Sequence, residues 1–238
     1  MSVGAVSDRY TGDDYLALNP DWHVADSAWK AEQIAGGLGA WRPRTVCEVG
    51  CGAGEILVQL APRLLPQRLV GYDIAPAAIE LARRRETDGL EFRLQDAVEC
   101  PEHFDLMLVI DVIEHVENPI GFLRALRTKA DRTVLHVPLD LSAQSVLRPD
   151  RLMNARRRVG HIHYFTRETA LATVQDAGYR VLSANFTAVT LDRPVFSRKA
   201  RLARMPRATL PRPLAARLLG GFSLLIVAEN ESALPAQP

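Results

Sequence analysis

Between Val46 and Glu55 an apolar, β-prone run passes through Glu48 into glycines at positions 50, 52 and 54, and a helix-forming stretch opens at Glu55. Glycines at alternate positions allow positive φ and let a ligand approach the main chain with no Cβ in the way. A helix that starts directly afterwards offers unpaired N–H groups and the positive end of its dipole. Such a strand, glycine loop and helix belong in a parallel α/β sheet, with the ligand beyond the carboxyl ends of the strands.

The following chain repeats this unit. Apolar runs at Thr45–Val49, Arg68–Tyr72, Leu90–Leu94, Phe104–Ile110 and Thr133–Val137 predict five strands, interleaved with helical stretches at Glu55–Leu65, Pro76–Arg85 and Pro119–Lys129. Phe104–Ile110 is almost wholly apolar, which suits the sheet centre. Pro62 is expected to end or bend its helix, and Pro138 to stop the fifth strand. Thr166–Ala177 reads as a helix opened by Thr166 and closed by Gly178. Tyr179–Val189 and Phe222–Ala228 read as two late strands, paired as a hairpin across a long insertion.

Two stretches break the alternation. Residues 1–39 are read as an N-terminal capping segment ahead of a domain at 40–238. Residues 139–165, rich in Arg, leave the fifth strand at the ligand-binding edge and are read as a lid. A basic insertion occupies about 192–220.

Bulk properties narrow the class further. At 47% hydrophobic and 24% charged, the 238 residues can build a core, which excludes wholesale disorder. A net charge of +1 points to no partner. Cys47, Cys51 and Cys100 have neither disulfide nor zinc-ligand spacing, so reduced thiols and a cytoplasmic setting are expected. The polar start MSVGAVSDRYTGDDY does not read as a signal peptide, and no apolar run reaches the roughly 20 residues of a spanning helix.

The glycine spacing discriminates among nucleotide sites. A G-x-G-x-x-G fingerprint would need glycine at 55 or 57, where the chain has Glu55 and Leu57, and the G-K-[ST] of a P-loop is absent. What remains, E-x-G-x-G-x-G from Glu48, resembles the first motif of the class I S-adenosylmethionine-dependent methyltransferases, in their small-molecule, type 11-like branch. Asp73 ends the second strand 19 residues after Gly54, within reach of vicinal ribose hydroxyls. Asp96 ends the third strand in Gln95-Asp96-Ala97. The run from Phe104 through Asp111-Val112-Ile113-Glu114-His115-Val116 looks like the family's fourth motif, near the donor sulfonium.

The resemblance implies a doubly wound, Rossmann-like α/β fold with a seven-stranded, mostly parallel sheet whose last strand is antiparallel. It implies S-adenosyl-L-methionine as cofactor. The contacting set carried over is Glu48, Gly50, Cys51, Gly52, Gly54, Asp73, Ile74, Asp96, Ala97 and Asp111, with Asp96 reaching the adenine amino group.

Methyl transfer from a sulfonium is an in-line displacement, so the protein mainly aligns the reactants in a dry site. An oxygen acceptor also benefits from a base. Gly160-His161-Ile162-His163-Tyr164-Phe165-Thr166 resembles a Gly-His-x-x-x-Phe-Thr stretch of the family. Alternate residues of an extended chain share a face, so His161 and His163 are expected to point together as catalytic candidates. His115 is assigned to the cofactor pocket or to a structural role, and His136 to the core. Asp111 and Asp140 lack a third metal ligand, and no metal is expected.

The acceptor is read from the remaining features. Trp22 and Trp29 share a face if helical and would close over the pocket. Arg148, Arg151 and Arg156–Arg158 of the lid, with Arg198, Lys199, Arg201, Arg204, Arg207, Arg212 and Arg217 of the insertion, suggest an anionic acceptor, or membrane contact through 193–217. The expected reaction is O-methylation of a small molecule or sugar-type, glycan acceptor. An RNA methyltransferase and a non-catalytic donor-binding protein are the alternatives. Nucleic acid is disfavoured by the scarcity of stacking aromatics in the basic stretch and by the absence of an Asn/Asp-Pro-Pro-Tyr signature.

Overall fold

The first five strands lie side by side in parallel because each is followed by a crossover that returns the chain to the same end of the sheet. They are β1 (Thr45–Val49), β2 (Arg68–Asp73), β3 (Leu90–Leu94), β4 (Phe104–Ile110) and β5 (Ala130–Leu139). The sheet order is β3-β2-β1-β4-β5-β7-β6, where β6 is Tyr179–Thr187 and β7 is Phe222–Asn230. β7 runs antiparallel to both β5 and β6. The fold is therefore the expected doubly wound, seven-stranded sheet with an antiparallel last strand. The structure is a computed structural model that describes residues 24–148, 150–192 and 206–230. Trp22, Arg198, Lys199, Arg201 and Arg204 lie outside the described residues.

The two faces sort by strand parity. Val46, Leu106, Leu108, Val134, Leu225 and Val227 pack with α1 (Ser27–Leu38), α2 (Glu55–Leu64) and α3 (Pro76–Arg83). Cys47, Val49, Met107, Val109, Leu135 and Val137 face the opposite way. There they meet α4 (Pro119–Leu126), α7 (Arg167–Asp176) and α9 (Arg212–Leu219). The α1 helix buries Ser27, Ala31, Ile34 and Leu38, an i, i+4, i+7, i+11 stripe, against α2 and β7. Full burial of each large aliphatic side chain contributes about 1.5–3 kcal/mol. The remaining helices are α5 (Ala143–Val146), α6 (Asp150–Arg158), none of whose residues is buried, and α8 (Val189–Asp192).

The prolines act less severely than expected. Pro62 sits inside α2, which runs on to Leu64. β5 passes through Pro138 to Leu139. Side alternation turns the Pro138 nitrogen toward the side of the His136 carbonyl, which accepts from Asp111 N at 2.9 Å. The β4 ladder ends there at Ile110, so no bond is lost to the missing N–H. β6 ends at Thr187, two residues earlier than expected, because the chain turns into α8.

Candidate active site

The sequence motifs converge at the carboxyl ends of β1, β2, β3 and β4, around a cavity of about 770 Å³. That size suits a nucleoside-scale ligand together with a small second molecule. Gly50, Gly52 and Gly54 have φ of +68°, +54° and +79°, the left-handed backbone that admits glycine most easily. Their surroundings are as restrictive as their backbone. A Cβ on Gly54 would lie 2.4 Å from the Phe92 ring, and one on Gly50 would lie 2.9 Å from Val112. The loop is held to the sheet by Gly50 N and Cys51 N, which donate to the Tyr72 carbonyl at 2.8 and 3.0 Å.

Asp73 borders the cavity and is oriented by the loop. Gly52 N donates to its Oδ2 at 2.8 Å and Ala75 N to its Oδ1 at 2.8 Å. Burial pushes its carboxyl up, and these N–H bonds only partly oppose that. Ile74, 41% exposed, presents an apolar side chain to the cavity, and Ala97 lines it too. Asp96 does two things at once: it lines the cavity and caps a short 3-10 turn by accepting from Val98 N at 2.8 Å.

Glu48 and Trp29 supply unmatched polar atoms. Glu48 is buried, and its Oε2 finds no hydrogen bond among the described residues; the same holds for Trp29 Nε1. Both residues line the cavity. Buried groups of this kind are normally satisfied, so each suits a polar group of a ligand. Burial raises the Glu48 carboxyl well above the usual carboxylate range, with Lys30 opposing and Asp73 reinforcing.

Asp111 occupies the β4 tip with φ of +54°. Its Oδ2 accepts from Lys30 Nζ at 2.6 Å, and its Oδ1 meets His136 Nδ1 at 2.6 Å. His136 Nε2 continues the chain to Thr187 Oγ1 at 2.9 Å. His136 is thus the hydrogen-bonded core histidine expected from the sequence, although it also borders the cavity. Asp111 lines the cavity with both oxygens engaged by protein.

His161 and His163 do not point together. His161 lines the cavity, and its Nδ1 meets Asp140 Oδ2 at 2.6 Å. His163 Nε2 turns instead to the Glu117 carbonyl at 3.2 Å. The backbone explains the divergence, since Ile162 N and His163 N both donate to the Glu114 carbonyl, at 2.9 and 3.0 Å. Two successive amides aimed at one oxygen depart from regular extended geometry, so side-chain alternation fails there. The 139–165 connection reaches the cavity through Val159 and His161.

The described basic residues expected over the acceptor do not line the cavity. Among the described residues, no arginine lines the cavity, and Lys30 is its lysine. Arg207 donates to the Gly220 and Leu219 carbonyls, Arg212 to the Phe186 carbonyl and Asp192, and Arg217 to Glu168. These three arginines satisfy carbonyls and acids around α9 rather than lining the cavity. No helix among the described residues is long and apolar enough to cross a membrane.

Comparison with known proteins was made against this geometry. A family model described as a methyltransferase domain matches residues 33–184, well over half of the chain. The chain belongs to the methyltransferase-domain family. Within it, the chain is 35% identical over 106 residues to a ubiquinone biosynthesis O-methyltransferase of Ruegeria pomeroyi, covering 39% of this chain and 42% of that protein. A protein of the same name from Cereibacter sphaeroides is 36% identical over 86 residues, covering 34% of each. The chain thus spans well under half the length of these curated relatives. Among solved structures, magnesium protoporphyrin IX methyltransferase of Synechocystis PCC 6803, with bound SAH, superposes with a TM-score of 0.62 at 16% identity, covering 94% of this chain and 97% of that one. The N-methyltransferase NodS of Bradyrhizobium japonicum WM9 gives 0.58 at 16% identity, covering 94% and 96%. At such identities these likenesses establish a shared methyltransferase fold.

Two cavity residues escaped the sequence reading as site residues. Lys30 meets its partner 81 positions away, a pairing that no local pattern signals. Glu114 was visible beside His115 after the fourth strand, but nothing in the spacing indicates that its carboxyl turns inward.

Proposed function

We propose that this methyltransferase-family chain binds S-adenosylmethionine and transfers its methyl group to a hydroxyl oxygen of a small acceptor. The observation that carries this reading is the cavity at the strand tips. One end has the glycine loop, Asp73 and Asp96, and the other has an imidazole held by a carboxylate.

The fit to the donor is specific. Bare backbone at Gly50 and Gly52 on the cavity wall leaves room for the methionine portion, whereas Gly54, carried over with them from the sequence, does not line the cavity and packs against Phe92. Glu48 Oε2 and Trp29 Nε1 offer a buried acceptor and donor for its ammonium and carboxylate. Asp73 is set for the ribose hydroxyls, with Ile74 beside them, and Asp96 and Ala97 for the adenine. Cys51 lines the same wall, and Asp111, already tied to Lys30 and His136, shapes the floor near the sulfonium.

His161 is the side chain we set against the acceptor hydroxyl. Asp140 holds Nδ1, which leaves Nε2 for the acceptor, the logic of a carboxylate that orients a histidine. His163 faces Glu117 and is not given that role. The relatives named O-methyltransferases support an oxygen acceptor. The scarcity of cationic side chains among the described residues of the cavity favours a neutral one over a phosphorylated or glycan-diphosphate one.

The test has two stages. Calorimetry should detect S-adenosylmethionine and its demethylated product binding at one site per chain. A labelled-methyl screen against neutral phenols, alcohols and sugars should then find label on oxygen. Binding without transfer to any acceptor would favour a non-catalytic donor-binding protein, and label on bulk RNA would favour the nucleic-acid reading.

A further inference from the structure

Glu114 is 0% exposed, and neither of its oxygens receives a hydrogen bond from another residue among those described. An ionisable group held without a partner in a protein interior is unusual and asks for an explanation. The group lies on the cavity wall, and two imidazoles close on it. His115 Nε2 is 3.9 Å and His161 Nε2 4.0 Å from Glu114 Oε1, and the two rings meet edge to face with centroids 5.0 Å apart. One ligand atom from each of the three residues lies within 4.8 Å of the others. These separations are too long for hydrogen bonds. They are close to those of ligands around one ion: bonds of about 2.0–2.2 Å put neighbouring donors roughly 3.3–3.6 Å apart in a tetrahedral site. A contraction of about 1.5 Å at most closes the set.

The surroundings are arranged as for a metal site. Asp140 Oδ2 lies 2.6 Å from His161 Nδ1, so a neutral ring donates its N–H to Asp140 and turns the Nε2 lone pair toward Glu114. A carboxylate behind a histidine in this manner orients metal-binding imidazoles. The ligand segments are stitched together by Ile162 N and His163 N on the Glu114 carbonyl. The nearby cation Lys30 is already engaged by Asp111 at 2.6 Å and does not neutralise Glu114 by contact.

We propose that Glu114, His115 and His161 bind a divalent first-row ion of the zinc type on the wall of the donor cavity. Two imidazoles and one carboxylate suit zinc better than magnesium or calcium, which prefer all-oxygen sets. Three protein ligands leave a fourth position open, as in catalytic rather than structural sites. This departs from the carboxylate set sought in the sequence. Asp111 is committed to Lys30 and His136, and Asp140 stands behind His161 rather than at the ion.

The ion's role rests on the O-methylation reading and takes the place of the His161 base in it, because an Nε2 that binds the ion has no lone pair left for the acceptor proton. The acceptor hydroxyl takes the open position, the ion draws electron density from it, and its proton passes to water. The oxygen lone pair forms the new O–CH3 bond while the S–CH3 pair returns to sulfur, leaving the neutral thioether.

The experiment uses the full chain, stripped with a chelator and desalted, and titrated with Co²⁺ and then Zn²⁺. Visible absorption and calorimetry should detect one Co²⁺ per chain with imidazole-ligated bands, displaced by an equivalent of Zn²⁺. Glu114→Gln and His161→Gln should each weaken Co²⁺ binding more than tenfold while keeping the wild-type circular dichroism. Asp140→Asn should weaken it by about 10–100-fold. His103→Gln, which removes an exposed imidazole 3.5 Å from Asp131, controls for surface binding and should match the wild type. The proposal is overturned by the absence of stoichiometric binding, or by equal affinity in Glu114→Gln. If Glu114→Gln does not fold, unchanged affinity in Asp140→Asn overturns it instead. Donor calorimetry and the labelled-methyl assay, each with and without chelator, separate the two readings. Donor binding without ion binding removes the ion, whereas ion binding without label on oxygen removes the O-methylation.

Discussion

Lys30 Nζ and Asp111 Oδ2 lie 2.6 Å apart across 81 residues of sequence, tying α1 to the tip of the central strand β4. Asp111 is at the same time in contact with His136 and in the left-handed backbone region. Aspartate tolerates that region better than most side chains, and the two partners hold it there.

The pH dependence of stability follows from this pair. Burial pushes the Asp111 carboxyl up, but His136 and Lys30 outweigh it and hold the group well below the usual carboxylate range. A depressed folded value means that the contribution is complete above the unfolded value of about 3.9 and is lost as pH falls below it. Asp111→Asn should cost about 1–3 kcal/mol at pH 7. In urea unfolding, the gap between variant and wild type should narrow below about pH 4. A gap that stays constant with pH would dismiss the electrostatic account. Lys30 has the opposite limb. Burial lowers it and Asp111 more than compensates, so its folded value is raised and its contribution fades only as alkaline pH passes that value.

Asp73→Ala should weaken donor binding by about 1–3 kcal/mol, the loss of charge-assisted hydrogen bonds to two hydroxyls. Asp73→Asn keeps one acceptor for Gly52 N and should fall between alanine and wild type. Calorimetry with the demethylated donor checks both. Equal affinity in all three proteins would show that Asp73 serves the loop alone.

Gly54→Ala should be among the most damaging small changes. It forces an L side chain to φ of +79° and sets its Cβ 2.4 Å from Phe92, a ring buried between α3 and the sheet. Overpacking and the left-handed cost together come to roughly 2–5 kcal/mol. Adding Phe92→Leu should recover part of that loss in thermal unfolding, because it relieves the clash and leaves the backbone cost. No recovery at all would mean that the backbone term dominates.

His161→Gln should lower turnover about 10²–10⁴-fold with donor affinity retained. Asp140→Asn, acting through His161, should lower kcat and shift the acid limb of the kcat profile, with Asp140→Glu partly restoring both. The pH profile separates orientation of the ring from mere support. Turnover lost in His163→Ala but kept in His161→Gln would reverse the assignment.

Glycine spacing, the positions of the first four strands and the acids at or just past the ends of β2 and β3 were all readable because each depends on residues within a few positions of one another. A strand tip, a turn and a helix start impose local backbone rules that composition reveals. His161 was singled out for the same reason, from the short Gly-His-x-x-x-Phe-Thr stretch. The reading that paired it with His163 assumed regular extended geometry, which the Glu114 carbonyl breaks by drawing two successive amides to itself.

The succession of strands and helices, and a ligand site at the carboxyl ends of the strands, were thus determined by the sequence itself. Tertiary structure decided which side chains share that cavity. Glu114 meets His161 across 47 positions, Lys30 meets Asp111 across 81, and Arg212 and Arg217 of α9 pair with a carbonyl and two acids. Such pairings depend on the folded path of the whole chain, because a side chain's partner is set by distance in space, which local patterns do not encode.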